Sequence, residues 1–453
     1  MECLVELQPI TADGEHKADM EMPEKLFKLL RLPPESTLTI RIGGITAAAG
    51  VIAVPDRGVL PIIRLSRSCY EKWMLPMPSI RLKAAYSEGI LHFGPVIAVL
   101  TELSGKSGTP PVSAGMRDFC NELRRLTQGE GGYLYITGMG IWPNAGLRCE
   151  EQTWIQTAVP APDVVYNRLH ARHSEKSPLF KEAIAKWKAA GIHFFNARYL
   201  SKLEVHHCLK ANSALSRYLP ETFSYDKGRL RECLLSFKEL YLKPENGSQG
   251  RGIIRLQLKD GKVSLQHHIG GSQSPALFSN AADAIEKTDQ LIGRRPYIIQ
   301  KAIPLMECEE KKLDFRFLVF KSNHNDWNLI SAVARMSAAG NFVSNLAQGG
   351  SVLKPLPLLY RYFGTEKAAL VWALMNELAL EAAKEISTHT NGNIAELGLD
   401  IGVDQNGKPW FIEANLKPSK QIQQPSPAFR PSVKAFYHYC MFLWRERSRH
   451  HDD

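Results

Sequence analysis

The chain has 453 residues, a length that favours two to four domains because one hydrophobic core rarely serves so many. Its composition is 44% hydrophobic and 23% charged, which is typical of globular proteins and argues against a disordered or fibrous chain. The formal net charge of +10 comes from basic residues spread along the chain, so it favours an anionic ligand over nucleic acid, for which the sequence carries no motif.

The sequence carries no pattern typical of secretion or membrane insertion. It has no basic start followed by an apolar run, and no stretch of about 18 uncharged apolar residues. The eight cysteines are scattered, without a CxxC pair or a cluster of zinc-binding spacing, which indicates reduced thiols. We therefore expect a cytoplasmic protein that is not inserted in a membrane.

Short strands between turns predict a small β-rich domain at residues 1–105. The runs that predict these strands are LTIRIGG, GVIAVP, GVLPIIRL, SIRLKAAY and GILHFGPVIAVL. The segment TELSGKSGTPP follows, and its content of Gly, Pro and Ser predicts a linker. Its GKS triplet resembles the end of a Walker A loop, but Leu100 stands where that motif requires its first glycine.

Helical and strand patterns alternate in the next region and predict an α/β domain with a parallel sheet at residues 106–200. Helices are predicted from AGMRDFCNELRRLTQ and from SPLFKEAIAKWKAAG, the second ending at Gly191. Strands are predicted from GGYLYITG and PDVVYNRL. The third unit, residues 201–453, contains nearly all of the side chains that suggest chemistry.

The stretch YLKPENGSQGRGIIRL predicts a loop that binds phosphate. Its glycines form the pattern G-x-x-G-x-G at Gly247, Gly250 and Gly252. The dinucleotide fingerprint has another order and lies between a strand and a helix, whereas alternating runs and a turn at Asp260-Gly261 indicate antiparallel strands here. Such a loop can cover a triphosphate with backbone N–H groups, and Lys243 can contact phosphate oxygens. An ordinary hairpin with a glycine-rich turn is the alternative.

The segment IAELGLDIGVDQNGKPWFIEAN predicts a hairpin with a two-residue loop at Asn406-Gly407. The resulting pairs are Gln405 with Lys408, Asp400 with Glu413, and Gly398 with Asn415. Two opposed carboxylates repel each other unless a cation lies between them, and hard oxygen ligands suit Mg²⁺. The segment therefore predicts a metal site at Asp400, Glu413 and Asn415. A solvent-exposed hairpin with a polar outer face is the alternative.

Taken in order, these motifs resemble those of ATP-grasp proteins, and more narrowly of the YheC/YheD-type endospore-coat-associated group. The resemblance rests on FGPVIAVL, PDVVYNRLHARHSEKS, LSKLEVHHCLKANSALSRYLPET, YLKPENGSQGRGI, YIIQKAI, LDFRFLVF, VARMSAAGNFVSNLAQGG and ELGLDIGVD followed by WFIEANLKP. It implies an α/β (α+β) chain with an ATP-grasp domain at residues 201–453, including a flap subdomain at about 215–300. The α/β domain and the small β-rich domain precede it, and ATP and Mg²⁺ are the implied cofactors.

The resemblance also implies nucleotide contacts. Those to phosphate are Lys202, Lys243 and the flap residues Gly247, Ser248, Gly250 and Gly252. Those to adenine are Gln300, Lys301 and Ile303, although many ATP-grasp hinges carry an acidic residue where Lys301 stands. Asp314 is the implied ribose contact. Read alone, Lys202 is an ordinary surface lysine.

The implied catalytic residues are Lys243, Arg316 and Arg335. Arg316 would contact the transferred phosphate, Arg335 and Asn345 would contact substrate and phosphate, and Asp400, Glu413 and Asn415 would hold magnesium. Arg335 is equally interpreted as a structural ion-pair partner.

The activity that the resemblance implies is ATP-dependent ligation of a carboxylate to an amine through an acyl phosphate. The implied partners are carboxylate and amine substrates, either small molecules or peptides, together with spore-coat proteins, and the implied location includes the spore coat. Two alternatives remain open at this point. One is an ATP-grasp-type kinase, and the other is a non-catalytic, ATP-binding coat or assembly protein.

Overall fold

The computed structural model describes residues 1–10, 18–33, 37–56, 58–104, 112–143, 145–247, 250–268, 275–308, 311–337, 351–390, 392–420 and 428–448. Within these ranges the chain forms one closed β-barrel and three further sheets. The barrel and the sheets follow one another along the chain, as the sequence of predicted units suggests.

The N-terminal barrel closes in the order β1-β5-β2-β4-β3-β7-β6. Its strands are β1 (Glu2–Pro9), β2 (Met20–Pro23), β3 (Thr37–Ile42), β4 (Ile45–Val54), β5 (Ile62–Leu65), β6 (Ile80–Ser87) and β7 (Ile90–Gly94), with helices α1 (Glu24–Leu30) and α2 (Arg67–Lys72). Alternate residues such as Val5, Leu7 and Ile40 point inward and are fully buried, which makes the barrel interior a packed core. Four of the five predicted runs form β3, β4, β5 and β6, whereas GILHFGPVIAVL contributes only its first half, β7, to the barrel. Strands β1 and β2 are additional.

The second sheet has the order β11-β10-β9-β8-β12-β13. Its elements are β8 (Val96–Leu100), α3 (Ala114–Glu130), β9 (Tyr133–Thr137), β10 (Gly146–Glu150), β11 (Thr153–Thr157), β12 (Val164–Asn167), α4 (Arg172–Lys176), α5 (Pro178–Ala189) and β13 (His193–Phe195). Strands β9, β8, β12 and β13 run parallel, as predicted, whereas β10 and β11 are antiparallel. The wholly buried β8 belongs here and not to the barrel, so this sheet starts before residue 106.

The third sheet carries the glycine loop and is antiparallel throughout, in the order β14-β19-β15-β16-β17-β18. Two helices precede it, α6 (Lys202–Ala211) and α7 (Ser213–Ser216), and their buried apolar residues belong to the core of the fourth sheet, which follows. The elements of the third sheet are β14 (Thr222–Ser224), α8 (Lys227–Phe237), β15 (Glu239–Pro244), β16 (Ile254–Lys259), β17 (Lys262–His267), β18 (Ala276–Phe278), α9 (Ala281–Ile292) and β19 (Tyr297–Lys301). Helices α8 and α9 share a hydrophobic core with the sheet. At the predicted turn, Asp260 and Gly261 both have positive φ, as a two-residue hairpin loop requires.

The fourth sheet has the order β23-β22-β21-β24-β25, and β20 pairs with β21 beside it. Its elements are β20 (Glu307–Cys308), β21 (Lys311–Lys321), β22 (Trp327–Met336), β23 (Ser351–Leu353), α10 (Pro355–Phe363), α11 (Thr365–Thr388), β24 (Glu396–Val403), β25 (Pro409–Asn415) and α12 (Pro431–Arg447). Helices α11 and α12 belong to the hydrophobic cores on either side of it. Every residue of β24 is buried, which rules out the solvent-exposed hairpin.

Candidate active site

The paired carboxylates lie opposite each other on β24 and β25, as the sequence predicts. Asp400 pairs with Glu413, and Gly398 pairs with Asn415. The predicted loop is wrong: Asp404 pairs with Lys408 through a 3.0 Å hydrogen bond from its N–H, so three residues lie between them. The correct pairing at the site survives because a β-bulge between Asp400 and Ile401 shifts the register by one residue and cancels the difference.

The Asp404 side chain explains the longer loop. Its Oδ1 accepts hydrogen bonds from the N–H groups of Asn406 at 2.9 Å and Lys408 at 3.0 Å. Its Oδ2 accepts from the indole N–H of Trp410 at 3.0 Å. An aspartate that binds its own turn in this way stabilises the loop locally, and it is not part of the carboxylate pair.

Two arginines from neighbouring strands enclose Asp400, which is 7% exposed. Arg316, opposite it on β21, donates from Nε to Oδ1 and from Nη2 to Oδ2 at 2.9 Å. Arg335 on β22 places Nη2 2.9 Å from Oδ2. Burial raises the pKa of Asp400, but the charges of the two guanidinium groups outweigh it and hold that pKa below its usual value. Asp400 is therefore an anion at neutral pH.

Arg335 also binds a second carboxylate, that of Asp314. The two residues pair across β21 and β22, and Arg335 donates from Nε and Nη2 to the two carboxylate oxygens of Asp314, each at 2.6 Å. A two-bond pair of this kind fixes the guanidinium plane. The ionic-partner interpretation of Arg335 is therefore correct, and it is compatible with a contact to substrate.

Gly398 gives Arg316 the space to reach Asp400. A Cβ at Gly398 would lie 3.4 Å from Arg316 Nη1 and 2.9 Å from the Cβ of Pro418. The second contact is closer than real Cβ atoms tolerate, so only glycine fits here without a shift of the chain. The glycine in ELGLD thus has a steric role at the site.

The two predicted phosphate lysines approach the same carboxylates from the third sheet and its preceding helix. Lys202, the first residue of α6, lies with its Nζ 3.4 Å from Glu413 Oε1 and donates to the carbonyl oxygen of Gly247 at 2.9 Å. Lys243 on β15 donates to Gln300 Oε1 at 2.6 Å. Burial lowers the pKa of Lys243 to about 8, although the charges of Glu413 and Asp400 act to raise it.

The glycine loop joins β15 to β16, as predicted. Gly250 and Gly252 have φ values of 72° and 78°, in the left-handed region that glycine adopts without strain. Gly252 is anchored by its N–H, which donates to the His268 carbonyl at 2.8 Å, and by its own carbonyl, which accepts from Tyr297 Oη at 2.9 Å. Both ends of the loop are therefore fixed, one by Lys202 and the other by Tyr297.

The predicted adenine contacts divide between two environments. Gln300 is buried. Its side chain donates to Thr222 Oγ1 at 3.0 Å and accepts from Lys243, so it lies beside that lysine. Lys301 instead binds the Glu221 carboxylate at 2.9 Å on the protein surface, and its backbone N–H donates to the Glu221 carbonyl, also at 2.9 Å. Ile303 is half-buried beside it. Ser248 and Asn345 lie outside the described residues.

A buried ionic cluster behind the site is absent from the sequence-based prediction. Glu396, fully buried, accepts from Lys420 Nζ and from Tyr166 Oη. Arg168, also buried, donates to the Pro418 carbonyl at 2.9 Å. Burial lowers the pKa of Lys420 to about 8, opposed by the charge of Glu396. The only sequence signal was the alternation that places Glu396 on the same strand face as Asp400.

The oxygen donors of the site suit Mg²⁺. Among the bonds from described residues, Asp400 Oδ2 receives two and Oδ1 receives one, so Oδ1 retains a lone pair for a metal ion. Glu413 lies opposite, with the Asn415 amide one pair further along β25. Carboxylate and amide oxygens together with nucleotide phosphates are the usual Mg²⁺ ligands.

A glycine loop over two lysines, facing a carboxylate pair on a second sheet, defines an ATP-grasp protein. Residues 191–443 match the family described as YheC/D like ATP-grasp, and the chain belongs to that family. The predicted resemblance and fold class are therefore confirmed. Proteins of this fold are typically ATP-dependent carboxylate–amine ligases.

Similar proteins include two from Bacillus subtilis (strain 168). "Endospore coat-associated protein YheD" is 28% identical over 374 residues, which is 80% of each chain. "Endospore coat-associated protein YheC" is 25% identical over 305 residues, covering 66% of this chain and 82% of the relative. A glutathione synthetase from Nitrosomonas europaea is 26% identical over 219 residues, covering 44% of this chain and 60% of the relative.

Similar solved structures include D-alanyl-alanine synthetase A from Vibrio cholerae, with a TM-score of 0.47 and 12% identity over 78% of this chain and 98% of that one. Another is the ATP-grasp ligase PsnB in complex with minimal precursor, Mg and ADP, with a TM-score of 0.42 and 14% identity over 78% of this chain and 97% of that one.

Across the described residues, no helix combines the length and the apolar character needed to cross a membrane.

Proposed function

We propose that this protein is an ATP-dependent carboxylate–amine ligase that forms an amide or peptide bond through an acyl-phosphate intermediate. The observation that carries the proposal is the convergence of separate elements on one pair of carboxylates. Lys202 lies 3.4 Å from Glu413, and Arg316 and Arg335 both bind Asp400. Such a concentration of fixed charges is what the transfer of a phosphoryl group needs.

The nucleotide would lie between the glycine loop and the carboxylate hairpin. In this arrangement Lys202 and Lys243 contact phosphate oxygens, and the loop supplies backbone N–H groups. Asp400, Glu413 and Asn415 would hold Mg²⁺, which would neutralise phosphate charge when bound. The Asp314 carboxylate keeps Arg335 in place, and Arg335 in turn shares Asp400 with Arg316.

The proposed reaction has two steps. A substrate carboxylate oxygen attacks the γ-phosphorus and displaces ADP, and the amine then attacks the acyl carbon and displaces phosphate, losing a proton to form the amide. Neither step requires a covalent enzyme nucleophile, so the contribution of the protein is positioning and charge stabilisation. We assign Arg316 to the transferred phosphoryl group, and this is supported by its position across from Asp400 and by the 22% of its side chain that is exposed.

The substrates and the cellular setting are also part of the proposal. The substrates would be small molecules or peptides that carry a carboxylate and an amine, since these are the groups that the reaction joins. Association with the spore coat is supported by the names of the two B. subtilis relatives, which share 28% and 25% of their aligned residues with this chain.

The test is acceptor-dependent ADP formation with Mg-ATP and pools of amino acids or peptides, followed by mass spectrometry of the products. Glu413→Gln and Lys243→Ala are each expected to abolish it. Lys227→Ala and Glu286→Gln are matched controls, because these two residues pair with each other on the surface of α8 and α9. Normal turnover in either site variant would show that the site is assigned wrongly.

The products separate the three candidate functions. A ligase releases free phosphate with ADP and yields a new amide, whereas a kinase leaves the phosphate on the acceptor. A protein that binds Mg-ATP in calorimetry but forms neither ADP nor a new product would instead be a non-catalytic, ATP-binding coat or assembly protein, and one that does not bind Mg-ATP would be neither a ligase nor a kinase.

A further inference from the structure

The side chain of Asn196 lies at the open end of the carboxylate hairpin, although this residue follows β13 in the preceding domain. It is fully buried. Its Oδ1 accepts from the N–H groups of Ala395 at 3.0 Å and Glu396 at 3.2 Å. Its Nδ2 donates to the carbonyls of Glu396 at 3.1 Å and Leu416 at 2.6 Å. The amide therefore uses its full hydrogen-bonding capacity on two strands of the neighbouring domain.

These four bonds lie where β24 and β25 separate. The last pair of the hairpin joins Gly398 to Asn415, where β25 ends, and the next residue of the chain is Leu416. Since Leu416 is covalently bonded to Asn415, a shift of its carbonyl moves the predicted metal ligand. Asn196 thus replaces the missing strand-to-strand hydrogen bonds at the end of the hairpin that bears the ligands.

The backbone of Asn196 is held equally firmly. Its φ of 55° lies in the left-handed region, which asparagine and glycine adopt more readily than other residues. Its N–H donates to the Asn393 carbonyl at 2.7 Å, and its own carbonyl accepts from Asn167 Nδ2 at 3.1 Å. The side chain is therefore presented from a fixed point, not from a free loop.

We propose that Asn196 is a positioning residue for the metal site, through which the α/β domain holds Asn415 and the end of β25 in place for the metal ion. The inference rests on the proposed function, because it assigns Asn196 to the metal ligands named there. Partners that orient metal ligands from behind typically change metal affinity by about 10- to 100-fold when they are removed.

The test is Mn²⁺ binding to the full-length protein in the presence of ADP, measured from the electron paramagnetic resonance signal of free Mn²⁺. Asn196→Gly removes the amide but keeps the left-handed backbone free of strain. We expect its Mn²⁺ affinity to fall by about 10- to 100-fold. Its affinity for ADP without metal should stay within about twofold, since no bond of Asn196 reaches the nucleotide lysines.

Tyr437→Phe is the matched control. It removes hydrogen bonds from Tyr437 Oη to the carbonyls of Glu130 and Gly131, which also join the C-terminal helix to the α/β domain but lie away from the hairpin. Its Mn²⁺ affinity should equal that of the unsubstituted protein, although it loses stability. A variant Asn196→Gly that loses stability but keeps its Mn²⁺ affinity would show a structural role alone and overturn the inference.

A second variant covers the case in which Asn196→Gly does not fold. Asn196→Asp keeps the acceptor for Ala395 and Glu396 but loses the amide that donates to the carbonyls of Glu396 and Leu416, so it should also weaken Mn²⁺ binding relative to the control. Unchanged affinity in this variant overturns the inference. If the unsubstituted protein binds ADP but no Mn²⁺, the metal site of the proposed function is wrong and the inference falls with it. If Mn²⁺ affinity is unchanged in both variants, the inference is wrong and the proposed function is unaffected.

Discussion

The pH dependence of nucleotide binding should report the ionisation of Lys243. Burial lowers the pKa of this lysine from 10.5 to about 8, so the ligand-free protein holds a neutral amine above pH 8. Phosphate oxygens favour the ammonium form, and nucleotide binding above pH 8 must therefore take up a proton. The affinity for ADP should then fall by about tenfold for each pH unit above 8, or about 1.4 kcal/mol per unit.

Calorimetry between pH 7 and pH 9.5 measures both consequences. The affinity should be flat below pH 8 and decline above it, and titrations in buffers of different ionisation enthalpy should show about half a proton taken up at pH 8. Lys243→Arg supplies the control, because an arginine keeps its charge over the whole range and should give a flat profile. Identical profiles for the unsubstituted protein and Lys243→Arg would refute the reasoning.

The lowered pKa of Lys243 also affects the stability of the nucleotide-free protein, and this effect has the opposite dependence on pH. Between pH 8 and the ordinary lysine value of 10.5, the unfolded chain holds the proton that folded Lys243 has lost. Unfolding therefore takes up a proton, and the contribution of Lys243 to the free energy of unfolding rises with pH across this window. Binding and stability should thus respond to pH in opposite directions.

Three further outcomes are expected. Gly398→Ala should lower the free energy of unfolding by about 1–3 kcal/mol and reduce turnover, because its Cβ would meet Pro418 at 2.9 Å; unchanged urea denaturation would contradict this. Lys420→Met should cost up to about 3–5 kcal/mol in the same assay, because buried Glu396 then keeps only Arg168, 3.9 Å away, as a cationic partner, and adding Glu396→Gln should recover part of the loss. Gly261→Ala should cost about 1 kcal/mol through its φ of 76°, but leave Mg-ATP affinity unchanged in calorimetry, since this turn is at the far end of β16 from the glycine loop.

Local patterns were sufficient for the elements around the site. Alternation and turn residues predicted the strands on both sides of the glycine loop and the turn at Asp260-Gly261. The pairing of Asp400 with Glu413 was also predicted, but from a loop that is one residue too short. The bulge that corrects the register is not encoded by period-two alternation, so this agreement depended on two errors that cancel.

Longer-range features were not accessible from such patterns. Strand β1 pairs with β5 and β6, more than 50 residues further along the chain, and its sequence has no nearby partner to indicate a hairpin. The run VIAVL reads equally as the last barrel strand or as the buried centre of a parallel sheet. Its pairing with β9 and β12 shows that it is the buried centre of the parallel sheet.

The sequence by itself determined which groups are present at the site: a glycine loop between strands, two lysines, and a carboxylate pair on a hairpin. These follow from residue type and spacing, which act over a few positions of the chain. The tertiary structure decided how the groups are held. Asn196 reaches Leu416 across 220 positions, and Arg168 reaches Pro418 across 250, because buried polar groups must find partners wherever the fold brings them.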